Sequence, residues 1–141
     1  MMDSKHKAML AYLAKYPGLD AFLRFNVIPD EQGNISVETV YGSEWEKRYI
    51  GGHGIKRYDF AIVSMAPQDP GTSAVNADQM QEAQNFMEWI DEQRRARNFP
   101  DFEGCRVLSI ENLQNMPNLA GVNAAGNTAK YMFQCRVRYY V

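Results

Sequence analysis

The last segment of the chain places the strongest constraint on its fold. From Tyr131 to Tyr139, large apolar residues occupy every second position, and Gln134, Arg136 and Arg138 lie between them. Successive side chains of a β-strand point to opposite faces, so this alternation predicts a strand with one face in the core. The other face is left for water or for a partner.

Three further segments have the composition or the alternation of strands. Ile35–Thr39 and Tyr58–Ile62 alternate larger apolar residues with smaller or polar ones, and Cys105–Ile110 has the composition of a strand. The glycine-rich sequence Gly51–Gly54 predicts a turn before the second of these strands. A sheet of four to five strands follows from these segments.

Two stretches have the periodicity of amphipathic helices. Apolar residues recur at three- and four-residue spacing in Lys5–Tyr16, before Pro17. Asn76 and Gln79 have the spacing of a capping box and predict the start of a second helix, which ends before Pro100. The apolar seam of this second helix is Met80, Ala83, Met87 and Ile90, with Phe86 beside it.

These elements predict one α+β domain over residues 1–141. Its sheet is mixed or mainly antiparallel and is flanked by two main helices. A chain of 141 residues has the usual size of one domain. The segments Ala66–Val75 and Met116–Gly126 have the composition of loops.

Composition argues against several classes of function. The formal net charge is -2, so no global positive field attracts nucleic acid or an anionic membrane. No apolar stretch has the length of a membrane span, and the N-terminus has no signal-peptide pattern. The two cysteines, Cys105 and Cys135, are expected to be free, buried thiols in a reducing cytoplasm.

No pattern of residues indicates catalysis. The histidines His6 and His53 have no visible catalytic partner, and no serine stands in a hydrolase motif. Gly51–Gly54 is not followed by the Lys-Ser/Thr of a phosphate-binding loop. No His, Cys or carboxylate spacing predicts a metal. We therefore expect no enzyme activity, no cofactor and no metal ion.

Aromatic and basic residues outside the predicted core strands are the candidates for an interface. Tryptophan and tyrosine are enriched at interface hot spots, although each of these residues could instead pack on the domain's own sheet. The arginine run at the end of the second helix could equally be a solvated helix end. The candidate interface residues are Tyr41, Trp45, Tyr49, Ile50, His53, Trp89, Arg94, Arg97, Arg136 and Arg138.

The order and spacing of short motifs resemble the tail-terminator and minor capsid proteins of long-tailed bacteriophages. The resemblance covers most of the chain and rests on its order of elements. The motifs are Tyr49-Ile50-Gly51-Gly52 before the strand Tyr58–Ile62, the helix from Asn76 to Trp89-Ile90, Phe99-Pro100, and the terminal strand Tyr131–Tyr139.

This resemblance implies an α+β virion subunit that forms a homo-oligomeric ring, a hexamer, at the head-tail junction. The ring would end polymerisation of the tail tube and provide the face that joins tail to head. Its partners would be further copies, the tail-tube protein and a head-completion protein, with assembly in the host cytoplasm. The segment from Tyr41 to the turn Tyr49-Ile50-Gly51-Gly52 would extend outward and contact neighbouring subunits. The strand Tyr131–Tyr139 would belong to the framework of the sheet.

Three alternatives stay open. The first is another head-tail connector or tail component. The second is a small enzyme, which would need His53 and a carboxylate such as Asp59 to line a deep pocket. The third is a ligand- or nucleic-acid-binding module, which would need the arginines of the second helix and of the terminal strand to form one continuous basic face.

Replacing Trp45 and Tyr49 together with polar residues is expected to leave the fold intact and to weaken self-assembly. The physical reason is that an interface residue contributes to the complex and not to the core. Circular dichroism and light scattering measure the two effects. Unfolding of the double variant would place the two side chains in the core.

Overall fold

The computed structural model describes residues 5–17, 23–25, 35–40, 44–67, 73–123 and 128–141, and these contain two helices and seven strands. The predicted α+β class is confirmed. In chain order the elements are α1 (Lys5–Leu13), β1 (Leu23–Phe25), β2 (Ile35–Thr39), β3 (Trp45–Arg48), β4 (Gly54–Pro67), α2 (Ser73–Ala96), β5 (Arg106–Asn112), β6 (Asn118–Asn123) and β7 (Thr128–Tyr140).

Two long antiparallel strands, β4 and β7, form the middle of the sheet. Their register runs without a break from Ile55 opposite Tyr140 to Pro67 opposite Thr128. The remaining strands add to the outer edges of this pair, in the lateral order β1-β2-β4-β7-β5. Beside β2, β3 continues the same edge of β4, and β6 continues the edge of β7 that β5 occupies.

All described pairings except one are antiparallel. The exception is the parallel pair of β1 with β2, in which Leu23 lies opposite Ile35. The prediction of a mixed or mainly antiparallel sheet is therefore confirmed. Its lateral path is five strands wide, and the short strands β3 and β6 raise the total to seven.

The core lies between one face of the sheet and the two helices. The alternation predicted for the terminal strand is confirmed, because Phe133, Cys135 and Val137 are fully buried on that face. Phe133 contacts Phe86 of α2, with ring centroids 5.7 Å apart. The other large side chains buried in this cluster include Met9, Leu13, Phe60, Met87, Ile90, Phe102 and Ile110.

Several predicted boundaries differ from the structure; α1, for example, ends at Leu13 and not at Tyr16. Residues 66 and 67 belong to β4, and α2 begins at Ser73 instead of at Asn76, so only residues 68–72 of the predicted loop lie outside the described residues. Part of the second predicted loop is the strand β6, because the free edge of β7 gives Asn118–Asn123 a hydrogen-bonding partner that composition could not reveal.

Both cysteines are free thiols, as expected, but Cys105 is only half-buried. Cys135 is fully buried, and its Sγ lies 3.3 Å from Oδ1 of Asn112. Burial raises the pKa of the Cys135 thiol well above its ordinary value, and the nearby Asp91 adds to the rise. Within the described residues neither helix combines the length and the apolar character needed to cross a membrane.

Alkaline pH is expected to destabilise the fold through its core tyrosines. Burial raises the pKa of Tyr139 to about 12, and burial likewise raises the pKa of Tyr12 and of Tyr58 above the ordinary value of 10. The unfolded chain therefore loses these protons first, so the contribution of these tyrosines to the free energy of unfolding is constant below pH 10 and falls as the pH rises above 10.

Urea denaturation at a series of pH values measures this fall. Tyr139→Phe removes one of the three groups and is expected to flatten the slope above pH 10. Tyr49→Phe, on an exposed tyrosine, is the matched control and should leave the slope unchanged. A free energy of unfolding that does not depend on pH in this range would contradict the prediction.

Candidate interaction surface

The β3–β4 hairpin contains the segment around Trp45, Tyr49 and Ile50 that the sequence predicted to contact neighbouring subunits. β3 pairs with the first residues of β4, with Trp45 opposite Lys56 and Arg48 opposite Gly54. The turn is closed by the amide of Tyr49, which donates to the carbonyl of His53 at 2.7 Å. Gly51 and Gly52 adopt positive φ values of 101° and 91°, a backbone conformation that glycine adopts without strain.

The base of the hairpin is fixed to the end of the chain. Val141 donates to the carbonyl of Gly54 at 3.0 Å and accepts from its amide at 3.4 Å. His53 stacks on Tyr140, with ring centroids 6.2 Å apart and planes 10° from parallel, and its Nδ1 lies 3.3 Å from the carbonyl of Val141. The turn is therefore fixed by its contacts with Tyr140 and Val141.

The tip of this hairpin exposes apolar side chains. Ile50 is fully exposed and Tyr49 is 41% exposed, while Tyr140 beside the turn is 39% exposed. Removing one such side chain from water contributes about 1.5–3 kcal/mol, so their exposure is unfavourable unless a partner covers them. We call Lys47, Arg48, Tyr49, Ile50, His53 and Tyr140 the hairpin surface.

Cations lie over the aromatic rings of the hairpin. The guanidinium of Arg48 and the ammonium of Lys56 lie 4.4 Å and 4.7 Å from the centre of the Trp45 ring. Lys47 lies 5.3 Å from the centre of the Tyr49 ring. Lys56 also donates to Glu44 at 2.7 Å, whereas Lys47 and Arg48 form no ion pair with a described residue. Two uncompensated positive charges therefore lie beside the exposed tip.

Several sequence-predicted residues are thus brought together, and others are not. Tyr49, Ile50 and His53 share the hairpin, with half-buried Trp45 at its base. Tyr41 lies outside the described residues. Arg94 and Arg97 are exposed at the end of α2 and are not part of the hairpin.

Trp89, a candidate interface residue that could instead pack within the domain, is buried in the domain. It is only 9% exposed and packs against Tyr12, Tyr16 and Phe86, with ring centroids 5.6 to 6.0 Å apart. Its position at the edge of the α2 seam suggested exposure, but α1 packs beside α2 and covers it. The sequence contains no local signal for that helix-helix contact.

Arg136 and Arg138 lie on the sheet face opposite the helices and are paired there. Arg136 donates to both carboxylate oxygens of Asp59, at 2.8 and 3.2 Å, and this hydrogen bond raises the pKa of the arginine. Arg138 lies 2.8 Å from Glu46 and 3.5 Å from Glu111. These pairs join four neighbouring strands, β3, β4, β5 and β7, and they neutralise the charge of both arginines.

The arginines therefore do not form one continuous basic face. Those of α2 lie on the helix side of the sheet, and those of β7 lie on the other side. This arrangement argues against the nucleic-acid-binding alternative, which needs a single basic surface.

The described residues also form one shallow cleft of about 190 Å³. His6 and Tyr58 line it, with His6 Nδ1 2.6 Å from the Tyr58 hydroxyl. Asp59 lies in the wall and is engaged by Arg136. His53 is not part of the lining and is exposed on the hairpin turn, roughly 20 Å along β4 from Asp59. The pairing that the enzyme alternative required is not formed.

Two exposed surfaces were not predicted from the sequence. The first is an apolar patch between β5 and β6, where Leu113 is 39% and Met116 57% exposed. The second is the outer side of α2, where Glu82, Glu88 and Glu92 are exposed. The three- and four-residue spacing of Glu82, Asn85, Glu88 and Glu92, opposite the apolar seam, was a signal that could have identified this acidic stripe.

Within the part of the chain that the structure describes, no group of three His, Cys, Asp or Glu residues could hold a metal ion. No protein-family model and no curated protein matches the sequence.

Gly54→Ala is expected to open the hairpin. A methyl group at Gly54 would overlap the backbone carbonyl of Lys47 and would lie 2.8 Å from the Trp45 ring. The neighbouring backbone cannot yield as a flexible side chain can, so we expect a loss of about 1–3 kcal/mol in the free energy of unfolding. Faster hydrogen exchange confined to β3 and the turn would locate the change.

Gly104→Ala is the matched control. Gly104 has a positive φ of 79° but nothing within 4 Å of the added methyl, so only backbone strain is expected. Normal exchange protection in β3 of the Gly54→Ala variant would contradict the close contact.

Proposed function

We propose that this chain is a structural subunit of a long-tailed bacteriophage that assembles as a ring at the end of the tail tube. The ring ends tube polymerisation and provides the face that joins the tail to the head. The observation that carries the assembly part is the fixed hairpin whose tip exposes Tyr49 and Ile50. The resemblance in the order of elements carries the assignment to the tail.

The hairpin has the properties of a binding element rather than of a loose loop. Its backbone is hydrogen-bonded across β3 and β4 and is tied to Val141, so little conformational entropy is lost when it docks. Tyrosine and arginine, which are enriched at interface hot spots, flank the exposed isoleucine. A rigid element of this kind favours binding to another protein.

The distribution of exposed groups suits a head-to-tail contact. A ring requires two different surfaces on each subunit, so that each copy binds the next in the same way. The hairpin surface lies at the edge of the sheet formed by β3, whereas the acidic stripe lies on the outer side of α2. The subunit therefore has distinct surfaces available for such a contact.

The alternatives are less well supported. A second head-tail connector or tail component would share the same hairpin and remains the nearest structural alternative. For a small enzyme, the His53 and Asp59 pair is not formed, and the cleft at His6 and Tyr58 is shallow. The exposed hairpin favours a head-tail connector or tail component over a small enzyme.

Light scattering on a size-exclusion column over a concentration series tests the proposed assembly. We expect closed rings of about six subunits, visible in negative-stain images, either alone or when the tail-tube protein is present as a template. Adding the subunit during tube polymerisation should shorten the tubes and place a ring at their ends. Tubes of unchanged length with bare ends would refute the terminator function.

The variant Tyr49→Ser/Ile50→Ser is expected to keep the fold and to raise the concentration needed for assembly by about tenfold or more, because it removes two exposed hot-spot side chains. Leu113→Ser/Met116→Ser removes a similar exposed apolar area elsewhere and is the matched control. Normal assembly of the hairpin variant would show that the tip is not part of the contact.

A further inference from the structure

We infer that the hairpin surface of one copy docks onto the acidic stripe of α2, Glu82, Glu88 and Glu92, on the next copy. The inference rests on the proposed ring assembly and names the surface that receives the hairpin. It commits to a second copy of this chain as the occupant.

The first argument is charge complementarity. Lys47 and Arg48 project from the edge strand β3 and form no ion pair with any described residue. The three glutamates of the stripe are exposed and likewise form no ion pair within the described residues. Most other charges on the two sheet faces are already paired, as in Arg136 with Asp59. Uncompensated charges of opposite sign thus lie on these two surfaces, although the exposed Arg94, Arg95 and Arg97 follow the stripe at the C-terminal end of α2.

The second argument is a partly exposed aromatic ring beside the stripe. Tyr16, after the end of α1, is half-buried and packs on Phe86 and Trp89, with ring centroids 4.3 and 5.6 Å away. Burial first and then the charges of Glu82 and Glu88 raise the pKa of its hydroxyl. A partly exposed ring flanked by carboxylates suits a partner that presents an apolar tip flanked by cations.

The dimensions of the two surfaces agree. Glu82 to Glu92 spans about 15 Å along the helix axis, at 1.5 Å per residue. Lys47 to Ile50 extends about 10 Å along an extended chain. The hairpin can therefore place Ile50 beside Tyr16 while its cations reach the neighbouring glutamates. The stripe points away from the sheet, because the opposite side of α2 carries the buried Met87 and Ile90.

The rival surface for the hairpin is less suitable. The Leu113–Met116 patch is apolar, but residues 113–118 contain no charged side chain. Docking there would leave Lys47 and Arg48 without a counter-charge. The acidic stripe is the described surface that offers both a ring to cover and carboxylates to pair.

Charge reversal on each side tests the contact. The hairpin variant Lys47→Glu/Arg48→Glu and the stripe variant Glu82→Lys/Glu88→Lys each place like charges opposite each other. Each is expected to raise the assembly concentration by about tenfold or more. Combining all four changes in one chain restores opposite charges and should restore assembly, with circular dichroism confirming that every variant is folded.

A mixture of the two double variants gives a sharper readout. The reversed hairpin of one matches the reversed stripe of the other, and the unchanged hairpin of the second matches the unchanged stripe of the first. We therefore expect alternating rings from the mixture although neither variant assembles alone. Asp101→Lys/Glu103→Lys makes the same charge change at two other exposed carboxylates and should assemble as the wild type does.

The outcomes separate the two proposals. If the wild type assembles and both reversed variants assemble equally well, the hairpin docks elsewhere and only this inference fails. Loss of assembly that neither the mixture nor the four-fold variant restores also overturns it. If the wild type forms no ring with or without the tail-tube protein, the proposed function itself fails.

Discussion

The antiparallel pairing of β4 with β7 is the interaction on which the rest of the structure depends. It extends over thirteen residue pairs, far more than the usual strand length of five or six residues. A shift by one residue would move every side chain to the other face, so the alternation on both strands fixes the register. The buried Phe60 and Phe133 then lie on the helix side, and Asp59 lies directly opposite Arg136 on the other side. The hairpin is an extension of β4, and β7 ends beside it.

This dependence explains which parts of the fold were predictable from the sequence. The alternation in Tyr131–Tyr139 and the seam that contains Met87 and Ile90 are local patterns, and both have the predicted burial. The strand β6 has no such pattern, since Asn118–Asn123 is rich in asparagine, alanine and glycine. It is a strand because β7 is long enough to pair with β5 and then with β6. Propensity could not predict a strand that a neighbour's free edge creates.

The residues of the candidate site also divide into those with a local sequence signal and those whose exposure depends on tertiary packing. Tyr49, Ile50 and His53 were identified because a glycine turn next to aromatic residues is a local signal, and the structure brings all three onto one hairpin. Trp89 was misplaced because its burial depends on α1, which lies more than seventy residues earlier in the chain. The acidic stripe has a regular spacing on the outer side of α2, whereas the helix was predicted from its apolar seam alone. Tertiary packing decides which aromatic residues of a chain are exposed.

Charge pairing gives the final constraint on where this protein can bind. The net charge of -2 predicts no partner, but the location of unpaired charge does. On the sheet face opposite the helices, Arg136 and Arg138 are neutralised by Asp59, Glu46 and Glu111, so this face gains little from an ionic partner. Lys47 and Arg48 differ, because they lie on an edge strand where lysine and arginine discourage indiscriminate strand pairing. In the proposed contact, the same two cations favour a partner that supplies negative charge next to the exposed Ile50. The apolar tip would then provide affinity, and the basic rim would select the partner.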